Sequence, residues 1–196
     1  MATAKGLFSP DLISAEVASS LPESYKIRPL EREDYHKGFF ECIQVLTSTG
    51  DVSEEKFGER YDWMKNQGKG ILYFLVIEHE GRIVGSGTLM VERKLYVTFL
   101  AHPDLNAFTK YSHSIHDLGN VAHIEEIAIR KEEQGKKLGL KMIQALGSVA
   151  KNVGCYKSIL GSGLANEGFY KKCGYETRGL IMGQYYEEEK SDYERG

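Results

Sequence analysis

Hydrophobic side chains recur along this chain with two distinct periods. Over residues 25–30 they alternate with polar ones, which predicts a first strand, and Pro29 suits an edge or a strand end. Over residues 32–46, Tyr35, Phe39, Ile43 and Leu46 fall at helical spacing, and Thr47-Ser48-Thr49-Gly50-Asp51 breaks that first helix. Asp51 and Glu54 have capping-box spacing, ahead of a second helix with Phe57, Tyr61 and Met64 as its apolar stripe. Gln67-Gly68-Lys69-Gly70 ends it. Residues 71–77 and 83–91 are two apolar strand runs joined through Glu80-Gly81, a hairpin signal. Gly85 and Gly87 inside the second run predict a bulge or a close backbone approach.

Residues 121–173 carry the most organised pattern. A run dense in branched residues, 124–129, predicts a buried strand. After a charged turn, Leu138, Met142, Ile143, Leu146, Val149 and Ala150 recur as one face of an amphipathic helix that Gly154 ends. Cys155–Leu160 reads as another strand, 165–172 as a short helix and 175–186 as a last strand. The order β-α-α-β-β-β-α-β-α-β describes an α+β domain with a mixed sheet. Residues 1–23 are weakly periodic and are expected to lie over the surface or stay mobile. The acidic stretch 187–196 is expected to be disordered.

The strand, glycine turn and helix around residue 135 present free backbone N–H groups at the positive end of a helix dipole. Such an arrangement binds phosphate or pyrophosphate. The ligand is not expected to be a nucleoside triphosphate or a dinucleotide, because neither GxxxxGK[ST] nor GxGxxG is present.

Composition narrows the classes further. The length of 196 residues fits one domain. A net charge of −3 with a pI near 6.1 gives no general pull toward nucleic acid or an anionic membrane, so any anion site must be local. Cys42, Cys155 and Cys173 form an odd set without metal-ligand spacing, which predicts reduced thiols. His36, His79, His102, His113 and His123 form no triad or metal constellation, and no metal is expected. No apolar run approaches a membrane span and no signal peptide is evident, so a soluble, cytoplasmic protein is expected.

Gln134-Gly135-Lys136-Lys137-Leu138-Gly139 resembles the Q/R-x-x-G-x-G/A signature of the GNAT N-acetyltransferases, with Lys137 in the inner glycine position. The flanking HIEEIAI, GCYKSIL and NEGFYKKCGY, together with SYKIRPL, QVLTSTGD and GSGTLMVERK, resemble one branch, the glucosamine 6-phosphate N-acetyltransferase family. The resemblance covers most of 24–183. It implies a single GNAT domain over 24–186, in which helices flank a mixed central sheet. It also implies acetyl-CoA as cosubstrate, N-acetylation of an amino sugar phosphate on the way to UDP-N-acetylglucosamine, and a homodimer.

Carried over residue by residue, the resemblance assigns the pyrophosphate to the main chain of Gln134, Gly135, Lys136, Lys137, Leu138, Gly139 and Leu140. It assigns the pantetheine to Ile127, Ala128 and Ile129, where a main-chain N–H would polarise the thioester carbonyl. Tyr170 matches the tyrosine beside the CoA sulfur, which protonates the leaving thiolate, and Asn166 matches a cofactor contact. Thr47, Lys94, His116, Glu125, Glu126, Tyr156 and Lys157 match the substrate side. No cysteine or serine is placed as a nucleophile, so direct attack by the amine is expected.

Three features depart from the family. Glu126 stands where the family has aspartate, and Gly161 stands where a carboxylate near the attacking amine is usual. Residues 95–114 interrupt an otherwise near-continuous match from Lys94 to Ile115. They read either as a long surface insertion or as retained intron sequence, since Leu95-Tyr96-Val97 can be encoded across a splice-donor-like GTATGT and His113-Ser114 across an acceptor-like CACAG. Because of these departures, two other readings stay open: acetyl transfer to another amine, and a CoA-binding protein without activity.

Overall fold

The computed structural model describes residues 5–95, 119–182 and 184. Five strands form one sheet in the spatial order of the chain: β1 (Tyr25–Pro29), β2 (Leu72–His79), β3 (Arg82–Arg93), β4 (Asn120–Ile129) and β5 (Cys155–Leu160). The first three pairings are antiparallel and β4–β5 is parallel. The helices are α1 (Ala15–Ser19), α2 (Phe39–Ile43), α3 (Glu54–Asn66), α4 (Leu138–Asn152) and α5 (Glu167–Lys172).

Both faces of the central strands are covered, which explains why β2 reads as an unbroken apolar run. Tyr73, Leu75 and Ile77 point toward α4, whose Leu138, Met142, Leu146 and Val149 are buried against them. Phe74 and Val76 point the other way, into a cluster with Phe39, Cys42, Phe57 and Tyr61 from α2 and α3. The β2–β3 hairpin turns through Glu80 and Gly81 at φ +48° and +77°, the pair of positive values that a two-residue type I′ turn demands. The three cysteines are free thiols.

Several expectations need correction. The first helix divides into a 3₁₀ turn, Arg32–Lys37, and α2, with Gly38 left-handed between them (φ +76°). The cause is tertiary: Arg130 donates to the Gly38 carbonyl (2.6 Å), and a Cβ on Gly38 would stand 2.5 Å from its guanidinium. The cap of α3 is Ser53, whose hydroxyl accepts from the Lys56 N–H (3.3 Å), rather than Asp51. The N-terminal segment is docked instead of loose, with Leu7 and Ile13 buried and the Ser14 N–H donating to Ser148 Oγ (3.0 Å) on α4. No strand forms over 175–182. The rest of that expected strand, residues 96–114 of the interruption, and 187–196 lie outside the described residues.

The break in strand pairing that matters most begins at Gly87. On β3 this one residue stands opposite two on β4, because Ser86 pairs with Ala128 while Thr88 pairs with Glu125. Glu126, inside this bulge, has φ +56°. A side chain at Gly87 has no room, since a Cβ would meet Ile127 Cδ1 at 2.8 Å and Met142 Cγ at 2.9 Å. A bulge bends its strand and raises its twist. Accordingly β4 pairs with β5 only as far as Ile124 opposite Leu160. Beyond that point the two parallel strands part.

Candidate active site

Where β4 leaves β5, the main chain of 125–129 keeps its β3 partner but has no strand on its other edge among the described residues. Its N–H and C=O groups there offer a ladder that an extended, amide-bearing ligand can complete. Ile127, Ala128 and Ile129 lie on this edge.

The turn after β4 leads to the start of α4. A 3₁₀ turn, Lys131–Glu133, is followed by Gln134 in extended conformation, then Gly135 (φ +82°) and Lys137 (φ +63°), both left-handed. Lys137 occupies the N-cap position of α4 without making a side-chain cap, and the first helical bond runs from the Lys141 N–H to the Lys137 carbonyl (3.1 Å). No acceptor among the described residues pairs with the N–H groups of 135–140. Six consecutive unpaired donors at the positive end of a fifteen-residue helix suit a pyrophosphate. Gly139 approaches Phe169 so closely that a Cβ would lie 3.2 Å from the ring.

The loop's side chains look elsewhere. Gln134 Nε2 donates to the Ile129 carbonyl (3.1 Å), tying the loop back to β4. Lys136 Nζ donates to Glu133 Oε2 (2.7 Å) and to Tyr25 Oη (2.8 Å). The lysine expected near the phosphates thus already has a carboxylate partner, which holds its pKa well above the ordinary lysine value. Lys137 is exposed and makes no ion pair among the described residues.

Tyr170 sits on α5 and reaches into the core around α4 and β4. Its ring meets Phe169 edge-on at 5.1 Å and Tyr175 at 6.3 Å. Burial pushes its phenol above the usual value of 10, and nearby Cys173, Tyr175 and Glu125 add to the effect. Its hydroxyl makes no hydrogen bond among the described residues, so its proton is available to a ligand. Asn166 closes the 3₁₀ turn Leu164–Asn166 directly ahead of α5.

Expected acceptor residues are spread over several elements. Glu125 and Glu126 are exposed at the bulge, and Glu126 Oε2 accepts from Thr88 Oγ1 (2.8 Å). Tyr156 and Lys157 lie on β5, with Lys157 Nζ 5.5 Å from the Tyr156 ring centre. Lys94 follows β3 and pairs with Glu92, whose other oxygen meets His123 Nε2 at 2.8 Å. The two hydrogen bonds, from Lys94 and then His123, lower the Glu92 pKa. Thr47 is exposed in the loop after α2, and His116 lies outside the described residues. Gly161 follows β5, and any side chain there would collide with Ile181 Cδ1.

The Glu92–His123 pair was not visible in the sequence, because strand register alone brings the two together. Met90 pairs with His123 across β3 and β4, placing His123 on the sheet face of Glu92. Tyr25 and Glu133 likewise meet only through the tertiary fold, 108 residues apart along the chain. No group of side chains fit for a metal occurs among the described residues. Two surface depressions contain none of the expected site residues. One, of about 420 Å³, lies between α1 and β1, and another, of about 210 Å³, lies between α2 and Arg130.

Comparison with known proteins agrees with this geometry. The model of the acetyltransferase (GNAT) family matches residues 27–175. Glucosamine 6-phosphate N-acetyltransferase of Candida albicans is 36% identical over 83% of this chain and 96% of its own length. Glucosamine 6-phosphate N-acetyltransferase 1 of Dictyostelium discoideum is 33% identical over 86% of this chain and 96% of its own. The crystal structure of glucosamine-6-phosphate N-acetyltransferase from Arabidopsis thaliana superposes with a TM-score of 0.70 at 35% identity, covering 84% of this chain and all of that one.

Proposed function

Because the chain belongs to the GNAT acetyltransferase family, in its glucosamine 6-phosphate N-acetyltransferase branch, we propose that it N-acetylates D-glucosamine 6-phosphate with acetyl-CoA. The observation that carries this reading is the parting of β4 from β5 directly ahead of the uncapped α4 N-terminus. An unpaired strand edge for pantetheine and six free N–H donors for the pyrophosphate then lie in sequence. The relatives' shared name supports this acceptor over another amine or an inactive binding protein.

Acetyl-CoA supplies the activated acetyl thioester. The N–H groups of 135–140 bind the diphosphate, and the free edge of 127–129 orients the pantetheine arm. A main-chain N–H on that edge stabilises negative charge on the carbonyl oxygen, a contribution that is strongest when the donor is fixed in advance. Tyr170 Oη holds the proton that the departing sulfur needs, and burial keeps that proton in place at neutral pH. Asn166, at the start of the same helix, is assigned to the cofactor as well. Glu125 and Glu126 take the hydroxyls of the sugar and hold its amino group, which attacks as the neutral amine. The N–C bond forms as the C–S bond breaks, the sulfur takes the Tyr170 proton, and the proton released by nitrogen returns to Tyr170 through solvent. Lys94, His116, Tyr156, Lys157 and Thr47 complete the acceptor side, with the cations serving the phosphate.

Under this reading the enzyme acts in the cytoplasm, as a homodimer, on the route to UDP-N-acetylglucosamine. Support for the dimer comes from one sheet face. Met90 and Ile159, aligned through His123, are each 40% exposed there, an apolar surface that a second copy can cover.

The test is release of CoA thiol from acetyl-CoA in three parallel reactions, with glucosamine 6-phosphate, with glucosamine and with no acceptor. Release that depends on glucosamine 6-phosphate is expected. Equal release with glucosamine overturns the phosphate role, and no acceptor-dependent release in either case overturns the acceptor assignment.

A further inference from the structure

The exposed turn 134–137 lies between two buried residues, Glu133 and Leu138. It contains two left-handed residues, one of them a lysine, in a conformation that side chains with a Cβ resist. Its tip is unpacked, for nothing lies within 4 Å of where a Gly135 Cβ would stand. Gln134 ties its first residue to the Ile129 carbonyl, and beyond Gln134 a polar bridge to the far edge of the sheet restrains it. Tyr25 Oη, on β1, donates to Glu133 Oε2 (2.6 Å), and Lys136 Nζ donates to both. His79, on β2, stacks on the Tyr25 ring at 4.0 Å with its plane parallel, and its Nδ1 lies 3.8 Å from Glu133 Oε1.

We propose that Lys136, Glu133 and Tyr25 are positioning residues for the CoA diphosphate, fixing the 135–137 turn so that main-chain N–H groups rather than the Lys136 ammonium receive it. This rests on the cofactor reading above. Lys136 is spoken for: its charge is matched by a carboxylate at hydrogen-bond distance, and its remaining donor reach goes to a phenol on another strand. A lysine so held adds little net attraction for an anion. Its restraint of the turn instead converts six separate N–H groups into a preformed cradle, which lowers the ordering cost of binding.

The two roles for Lys136 make opposite predictions. If Glu133 merely competes with the phosphates for Lys136, Glu133→Gln frees the ammonium and tightens CoA. If Glu133 anchors the turn, the same change weakens CoA. The experiment is calorimetric titration of the full-length protein with CoA at two salt concentrations, using Glu133→Gln, Lys136→Met, Tyr25→Phe and the Glu133→Gln/Lys136→Met double variant. Tyr25→Phe keeps the ring stacked on His79 and removes only the hydroxyl, so it remains informative if a bolder variant folds poorly.

Each single change is expected to raise the CoA Kd roughly fivefold, and the double variant is expected to be no worse than the weaker single by more than about twofold, because the groups share one network. The slope of Kd against salt should be that of the parent in Lys136→Met. With saturating acceptor, Tyr25→Phe should raise KM for acetyl-CoA while kcat stays within about twofold. Tighter CoA binding by Glu133→Gln, a flatter salt slope in Lys136→Met, or unchanged Kd in all variants overturns the proposal. A parent that does not bind CoA at all overturns the cofactor reading itself, a result distinguishable from variants that bind as the parent does.

Discussion

In the proposed enzyme, the donor half of the site and the acceptor half are built from different materials. The donor half uses main chain: a bulge at Glu126, an unpaired strand edge, and N–H groups 135–140 at the start of α4. These groups are held by buried Leu138, Met142 and Leu146 below and by the Tyr25–Glu133–Lys136 bridge beside them. The acceptor half draws on side chains from β3, β4, β5 and the loop after α2, two of which are held by neighbours, Glu126 by Thr88 and Lys94 by Glu92. A site of main chain tolerates substitution wherever backbone geometry survives. A site of side chains changes its preference with every residue, which is why the expected departures at Gly161 and Glu126 bear on the acceptor alone. Donor and acceptor preference would thus rest on separate groups of one fold.

The sharpest way to separate the halves is Tyr170→Phe. Its hydroxyl is unpaired among the described residues, so CoA affinity should be unchanged while kcat falls by about 10²–10⁴-fold, read by steady-state thiol release beside calorimetry. Because burial raises its pKa above 10, the acid form persists through neutral pH and the alkaline limb of the rate profile should lie beyond pH 10. A limb near neutrality would assign the proton to another group.

Next in size, Gly139→Leu should strike the donor half alone. A Cβ there already lies 3.2 Å from Phe169, and a longer chain blocks approach to the neighbouring N–H groups. A loss of about 10²-fold in kcat/KM is expected, together with loss of the thermal shift that acetyl-CoA gives the parent. An undiminished shift would show that the ligand does not use this helix start.

Gly161→Asp tests the acceptor half. The new side chain collides with Ile181, so it is paired with Ile181→Ala. A carboxylate beside the amine should lower KM for glucosamine 6-phosphate by about tenfold, the scale of one charged hydrogen bond, and leave the CoA Kd alone. Unchanged acceptor kinetics would make the missing carboxylate harmless.

Lys137→Gly should have the smallest effect. It relieves a left-handed lysine at φ +63°, worth about 1 kcal/mol, and should raise Tm by about 2–4 °C. A lower Tm would mean that the lysine stabilises the turn through its chain.

Much of this architecture could be read locally. Glu80-Gly81 announced a hairpin because only a few residue types adopt two positive φ values in succession. Six of the seven buried residues of α4, all but Ala145, and the limits of β5 were legible because periodicity records which side of an element meets the core. The unpaired N–H groups of 135–140 were legible because they follow from the mere start of a helix, whereas the Gln134 N–H, expected among them, is taken by the Lys131 carbonyl (3.3 Å).

Other features needed distant parts of the chain. Gly38 splits the first helix because Arg130, 92 residues on, occupies the space beside it. The burial of Leu7 and Ile13 left no local sign, because the clusters they join are made by β1, β2 and the helices beyond. That Tyr25, 111 residues earlier, and Glu133 take the Lys136 ammonium had no sign in the sequence around the turn. His123 and Glu92 met only through the β3–β4 register. Alone, then, the amino-acid order determined where elements form and which main-chain groups they leave free, because both depend on short-range sterics and periodicity. Tertiary structure decided which side chains those groups face, because ion pairs and strand register join residues whose separation along the chain carries no trace of their contact.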